Sequence, residues 1–228
     1  DAATRIGDLY YNLVNNEAYV VCQPLQNKKF VGYNLDKVVI PATVTRNGKI
    51  YTVTKIASDR PTGANTTYGS STIKSIVIPY TITGIGTKAF WGSSVTDIDF
   101  EAAPDESEDA PILIEGNAFT NCKKLEYFEL MREHYVKGET EASNIFAGCT
   151  SLKSAVLALT GVLPQGFFSN CTSLQRVEFT NHIDKFGQSS FNNCTSMMKA
   201  NGGQGIYFRN TGCPATSYPT STNEHNNI

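Results

Sequence analysis

One six-residue frame recurs five times in this chain, and it limits the possible folds more than any other feature of the sequence. The copies run from Ile85 to Phe90, Ile114 to Phe119, Glu141 to Phe146, Leu163 to Phe168 and Phe186 to Phe191, each closing on phenylalanine. Three residues after that phenylalanine stands Cys122, Cys149, Cys171 or Cys194, with Ser93 in the first copy. Six residues after it stands Leu125, Leu152, Leu174 or Met197; the first copy, one residue short, offers Val95. The phenylalanines are 29, 27, 22 and 23 residues apart, so a unit of 22 to 23 residues carries two small insertions.

Around the frame the chain alternates apolar and polar residues with a period of two, the pattern of short strands. These stretches are Ile73 to Pro79, Val95 to Phe100, Leu125 to Leu130, Leu152 to Leu157 and Leu174 to Phe179. One strand and its turn cannot cover their own apolar face. Stacked copies can, by laying Phe on Phe, Leu on Leu and Cys on Cys in continuous ladders. A period of this length lies within the 20 to 29 residues typical of leucine-rich repeats.

The combined motif I-G-x-x-A-F-x-x-C-x-x-L-x-x-V-x-I-P resembles the BspA-like class of leucine-rich repeats found on bacterial and some protozoan surface proteins. Ile85-Gly86, Ala89-Phe90, Asn121-Cys122, Asn170-Cys171 and Ile76-Val77-Ile78-Pro79 carry the resemblance. Asp8 to Leu13, Val38 to Pro41 and Asn47 to Val53 look like the leading region that such proteins place before their repeats, and Asn47-Gly48 is a favoured two-residue hairpin turn. The resemblance implies a mainly β fold, a right-handed leucine-rich-repeat solenoid with short strands, short helical or irregular turns and an N-terminal β-hairpin cap. The expected divisions are a β cap at 1–53, repeats at 54–214 and a flexible polar tail at 215–228. The frame ending at Phe146 has lost its Ile-Gly start, and the copy after Phe191 decays into Met197-Met198-Lys199-Ala200, with Ile206 to Phe208 expected as a closing strand.

Composition narrows the function. A net charge of −2 and 18% charged residues give no basic field to gather phosphates, which argues against nucleic acid. No run approaches the roughly 20 apolar residues of a membrane-spanning helix. The chain starts at Asp1 without methionine, so an export signal or lipid anchor on a removed N-terminus fits, and a monomer is expected. The resemblance implies an extracellular or cell-surface protein, outer-membrane-anchored or secreted.

The cysteines are too widely spaced for a zinc site, and ladder side chains run parallel instead of converging into disulfides, so they read as reduced, buried small hydrophobes. Cys22 and Cys213, outside the ladder, are also expected to be free. His134, His182 and His225 share no motif with a nucleophile, and no G-x-S-x-G, phosphate-binding loop or H-E-x-x-H occurs. Gly202 to Gly205 reads as a turn. No catalytic residue, metal or cofactor is assigned. The acidic insertion from Glu101 to Asp109 lacks the ligand spacing of calcium loops and reads as solvated loop, and Met131 to Glu141 reads as a mixed-charge surface loop.

Alternation sends Leu125, Phe128 and Leu130 inward and leaves Ser75 and Val77, Asp97 and Asp99, Tyr127 and Glu129, Ser154 and Val156, Arg176 and Glu178 outward as two adjoining columns. Asp97, Asp99, Tyr127, Glu129, Val156, Arg176 and Glu178 are therefore the candidate ligand-binding residues. The expected role is adhesion or recognition of a host protein or polysaccharide. The alternative is a spacer or stalk that presents another domain and has no ligand of its own.

Overall fold

The computed structural model describes residues 3–23, 33–58, 72–105, 110–137, 144–199 and 205–209. Among them the regular structure is almost entirely strand, with one short helix, Thr195–Lys199.

The leading region is a small antiparallel unit. Strands β1 (Thr4–Ile6), β2 (Leu9–Val14) and β3 (Glu17–Val21) pair in sequence, and β5 (Thr43–Arg46) folds back on β6 (Lys49–Ile56). The turn between β5 and β6 is the expected Asn47-Gly48, with φ of 52° and 76°, a pair of left-handed residues that matches the twist of the flanking strands. β3 then pairs parallel with β6, and the antiparallel cap passes into the parallel solenoid.

Each coil contributes one strand after the Leu position and a second just before the Phe. The first column begins with β4 (Lys37–Val39), β7 (Ser75–Ile78) and β9 (Asp97–Phe100), a three-stranded parallel sheet. The second column runs from β6 through β8 (Gly84–Ile85) to β10 (Ile112–Ile114). The next strand, β11 (Tyr127–Val136), serves both columns. Its beginning pairs with β12 (Ser154–Leu159), which continues through β14 (Arg176–Phe179) to β16 (Gly205–Phe208), while its end pairs with β10. β13 (Gly161–Leu163) and β15 (Ile183–Phe186) form a separate pair that carries on the second column.

The turns repeat as regularly as the strands. The residues two before and two after each ladder Phe take left-handed backbone angles: Asn117 and Asn121 about Phe119, Asn144 and Gly148 about Phe146, Gly166 and Asn170 about Phe168. Asparagine and glycine are the residues that tolerate this conformation. Between them the Phe amide donates to the next coil, as Phe90 N–H does to Ala118 O at 2.7 Å and Phe146 N–H to Phe167 O at 2.8 Å. The turns thereby form a further inter-coil hydrogen-bond column.

Inside, Phe90, Phe119, Phe146, Phe168 and Phe191 stack face to face, with successive centroids 5.1, 5.1, 5.4 and 5.6 Å apart. Leu125, Leu152 and Leu174 are fully buried beside them. Cys22, Cys122, Cys149, Cys171 and Cys194 are buried and form no disulfide, and each ladder thiol donates to the carbonyl of the Phe one coil back. Ile206 to Phe208 close the stack within β16 as expected. Cys213, His225 and the 215–228 tail lie outside the described residues.

One expectation fails here. Met131 to Val136 is not loop but the second half of β11, alternating outward Met131, Glu133 and Tyr135 with inward Arg132, His134 and Val136. An inward arginine and histidine hide the period that apolar residues would have displayed.

Candidate ligand-binding face

The first column decides which outward side chains adjoin. The register sets Tyr127, Ser154 and Arg176 in one row across successive strands, and Glu129, Val156, Glu178 and Tyr207 in the next. Separately it sets Asp97 beside Ser75 and Asp99 beside Val77. No ladder pairing joins β9 to β11, so each of the two expected columns is broken there, leaving two blocks with a cleft between them.

The two blocks differ chemically. Toward the C-terminus the face is closed on itself. Glu178 is buried, contrary to its expected exposure, because Arg176 Nη2 donates to its Oε2 at 3.0 Å and Arg209 pairs with its other oxygen. The Arg176 hydrogen bond in particular holds the Glu178 carboxyl below the usual carboxylate range. Arg176 also lies over the Tyr207 ring at 4.0 Å, so Arg176 and Val156 are half-buried and available only at their edges.

Toward the middle the face is open. Asp97, Asp99 and Glu129 are exposed, and Tyr127 is 62% exposed, the most open tyrosine among the large apolar side chains of the surface. Lys153 pairs with Glu126 at 2.8 Å and rests 5.8 Å from the Tyr127 ring centre, steadying it from one side. Asp97 accepts from the Thr96 hydroxyl at 2.8 Å.

Between β9 and β11 lies a cleft of about 380 Å³, lined by Ile98, Asp99, Phe100, Glu101, Glu129, Met131 and Arg132 among others. Phe100 meets Phe128 edge-on at 5.8 Å across its base. The step from Leu130 to His134 along β11 is matched by only Leu157 to Leu159 along β12, a bulge through which Arg132 keeps the inward side of the strand's alternation. Its guanidinium donates to the carbonyls of Tyr80 and Ile82, in the turn between β7 and β8. His134 follows, 1% exposed, its Nδ1 2.9 Å from Arg132 O and its Nε2 without a hydrogen-bond partner. Burial lowers its pKa to about 4. Neither residue showed itself as structural in the sequence, where both stood in an assumed loop.

A larger hollow of about 520 Å³ lies in the leading cap, lined mostly by aliphatic groups such as Ile6, Leu9, Val38 and Val44. No cluster of three or more potential metal ligands occurs among the described residues. Glu101 to Asp105 is an irregular, mostly exposed stretch, and the rest of that acidic insertion lies outside the described residues.

Stacked short parallel strands, a buried Phe and Leu ladder and asparagine-turned corners define a leucine-rich-repeat protein. Residues 106–211 match the family model of the BspA type leucine rich repeat region in six copies. Among solved structures, a leucine rich cell surface protein from Faecalibacterium prausnitzii is 21% identical, with a TM-score of 0.55 over 86% of this chain and 53% of that one. This chain thus spans about half the length of that structure. The leucine rich repeat protein of T. pallidum is 18% identical, with a TM-score of 0.47 over 85% and 89% of the two chains. The pneumococcal vaccine antigen PcpA is 20% identical, with a TM-score of 0.47 over 84% and 47%. A comparison with curated protein sequences finds no match.

Proposed function

We propose that this chain is a cell-surface or secreted recognition module that binds an extracellular protein through the open part of its strand face, centred on Tyr127, Glu129 and Asp99. The observation that carries this reading is the contrast along the face. The C-terminal charges neutralise one another, whereas Asp99 and Glu129 have no ion-pair partner among the described residues and flank an exposed aromatic ring. Solenoids bind partners on extended sheet surfaces, and an exposed tyrosine among polar groups supplies contact area at little entropic cost. Unpaired carboxylates complement the basic side chains of proteins better than the hydroxyls of a neutral glycan. BspA-type repeats accord with a non-enzymatic role, and one structure of the same fold is named as a cell surface protein.

The test is an array of extracellular-matrix proteins and glycans probed with the recombinant chain, followed by the Tyr127→Ala and Asp99→Ala variants. A tenfold or greater loss of affinity with unchanged circular dichroism is expected. Unchanged affinity removes the site assignment. A second reading, an inert spacer, draws on the self-paired Arg176, Glu178 and Arg209, and an array with no specific ligand favours it.

A further inference from the structure

The cleft between β9 and β11 has three properties that seldom coincide on a solvated sheet face. It is a gap in a parallel ladder. β9 is bonded to β7 on one side and β11 to β12 on the other, but no ladder hydrogen bond crosses between them. In a parallel ladder alternate residues bond to alternate neighbours, so Ile98 and Phe100 on one side, and Tyr127, Glu129 and Met131 on the other, present their backbone groups to the gap. Its floor and wall are apolar: Ile98 and Phe100 are half-buried, and Met131 is 49% exposed, an adaptable side chain that packs against irregular surfaces. Its rim is acidic, with exposed Asp99, Glu101 and Glu129, none with an ion-pair partner among the described residues. The lining contains one cation, Arg132, and its guanidinium is engaged by the Tyr80 and Ile82 carbonyls.

From this geometry we infer that the cleft receives an extended polypeptide segment carrying a lysine or arginine between apolar residues. The inference rests on the proposed recognition role and names the chemistry of its ligand. β9 and β11 approach within 8 Å, closer than the roughly 9.5 Å that a strand bonded to both would need, so the segment's backbone meets one of the two free edges, the mode in which extended peptides bind sheet edges. Its apolar side chains cover Ile98, Phe100 and Met131, and its cation lies among Asp99, Glu101 and Glu129, where a carboxylate-to-cation hydrogen bond is about twice as strong as a neutral one. The acidic rim opposes an acidic segment by like charge.

The probe is a fluorescein-labelled, end-blocked ten-residue peptide alternating lysine and valine. The comparators are the same peptide with glutamate for lysine, a lysine-only oligomer, and a neutral glucose oligosaccharide. Binding to the full chain is read by fluorescence polarisation, or by calorimetry for the sugar, and the Met131 methyl resonance is followed by NMR. The lysine and valine peptide is expected to bind most tightly, to shift the Met131 methyl, and to lose tenfold or more in affinity against the near-isosteric Asp99→Asn/Glu129→Gln chain. Equal binding by that chain, equal binding of the glutamate peptide, or preference for the oligosaccharide overturns the inference. If an array ligand depends on Tyr127 but not on the Asp99→Asn/Glu129→Gln pair, the recognition face stands and only this cleft assignment falls.

Discussion

Cys149 donates its thiol hydrogen to the carbonyl oxygen of Phe119, one coil back, at 3.1 Å. Cys122, Cys171 and Cys194 make the same contact with Phe90, Phe146 and Phe168 at 3.0, 3.1 and 3.2 Å. The position therefore calls for a small side chain with one donor, buried and apolar elsewhere, and cysteine meets both demands. Burial raises the thiol pKa of Cys122 and Cys171 and lifts that of Cys194 to about 12, which keeps these groups protonated as donors. Cys149→Ala is expected to cost about 1–2 kcal/mol through the lost volume and hydrogen bond. Cys149→Ser, which keeps a donor, should cost less, since Ser93 occupies the equivalent buried place in the first coil. Denaturant titration of both variants checks the order.

The phenylalanine stack is most heavily coupled at Phe146, which contacts Phe119, Phe128, Phe167 and Phe168. Phe146→Ala is expected to destabilise by about 3–5 kcal/mol. In a domain of this size that lowers the melting temperature by roughly 10 °C. Phe100→Ala, at the half-buried edge of the cleft, should lower it by clearly less in the same calorimetric comparison.

His134 links stability to pH. Its folded pKa of about 4 lies below the ordinary value of 6.5, because a charge at this depth is poorly solvated. Between those values the unfolded chain takes up a proton that the folded chain refuses. Stability is complete above pH 6.5 and falls as the pH drops toward 4, by about 3 kcal/mol from this residue alone. His134→Leu should flatten that part of the stability profile, at a cost at pH 7 of about 1 kcal/mol for the lost Nδ1 hydrogen bond to Arg132 O. Urea midpoints at pH 4.5 and 7 for the two proteins decide it.

Glu178 has the same sense at lower pH. Its carboxyl is held below the ordinary 4.5, first by the Arg176 hydrogen bond and then by Arg209. Its contribution is present above about pH 4.5 and is lost as pH falls through the lowered folded value. Glu178→Gln is expected to cost about 1–2 kcal/mol at pH 7, with the gap to the parent closing in acid. Chemical denaturation at pH 7 and pH 3 measures both ends.

Arg132 is expected to resist conservative replacement. Its planar guanidinium reaches two carbonyls, Tyr80 O and Ile82 O, in a fork that the single ammonium of lysine cannot reproduce. Arg132→Lys should cost about 1.5–3 kcal/mol, the worth of a hydrogen bond to a charged group. It should also raise hydrogen exchange at the Ile82 amide, which closes the same turn onto Pro79 O.

The contrast among these residues explains what could be read in advance. Phe146, Cys149 and Leu152 act through neighbours one coil away that bear the same residue types, so a one-dimensional repeat already contains their packing. Asp97, Asp99, Tyr127 and Glu129 point outward for an equally local reason, the two-residue period of a strand. Arg132 and His134 sit at inward positions of the same kind of strand, but polar residues there resemble loop until the carbonyls that receive Arg132 are brought from 50 residues upstream. Glu178 alternates outward by sequence and is buried in fact, because Arg176 and Arg209 close over it.

The sequence by itself determined the coil: its length, its Phe, Cys and Leu ladders, and the hairpin that precedes them. Those are set by contacts between equivalent positions of adjacent coils, and periodicity makes such contacts legible. Only the tertiary structure decided that β11 joins both columns, that β9 and β11 part to leave a cleft, and that half of the expected face is neutralised by its own arginines. These depend on single residues meeting partners outside the repeat register, where hydrogen bonding and desolvation, not period, choose the arrangement.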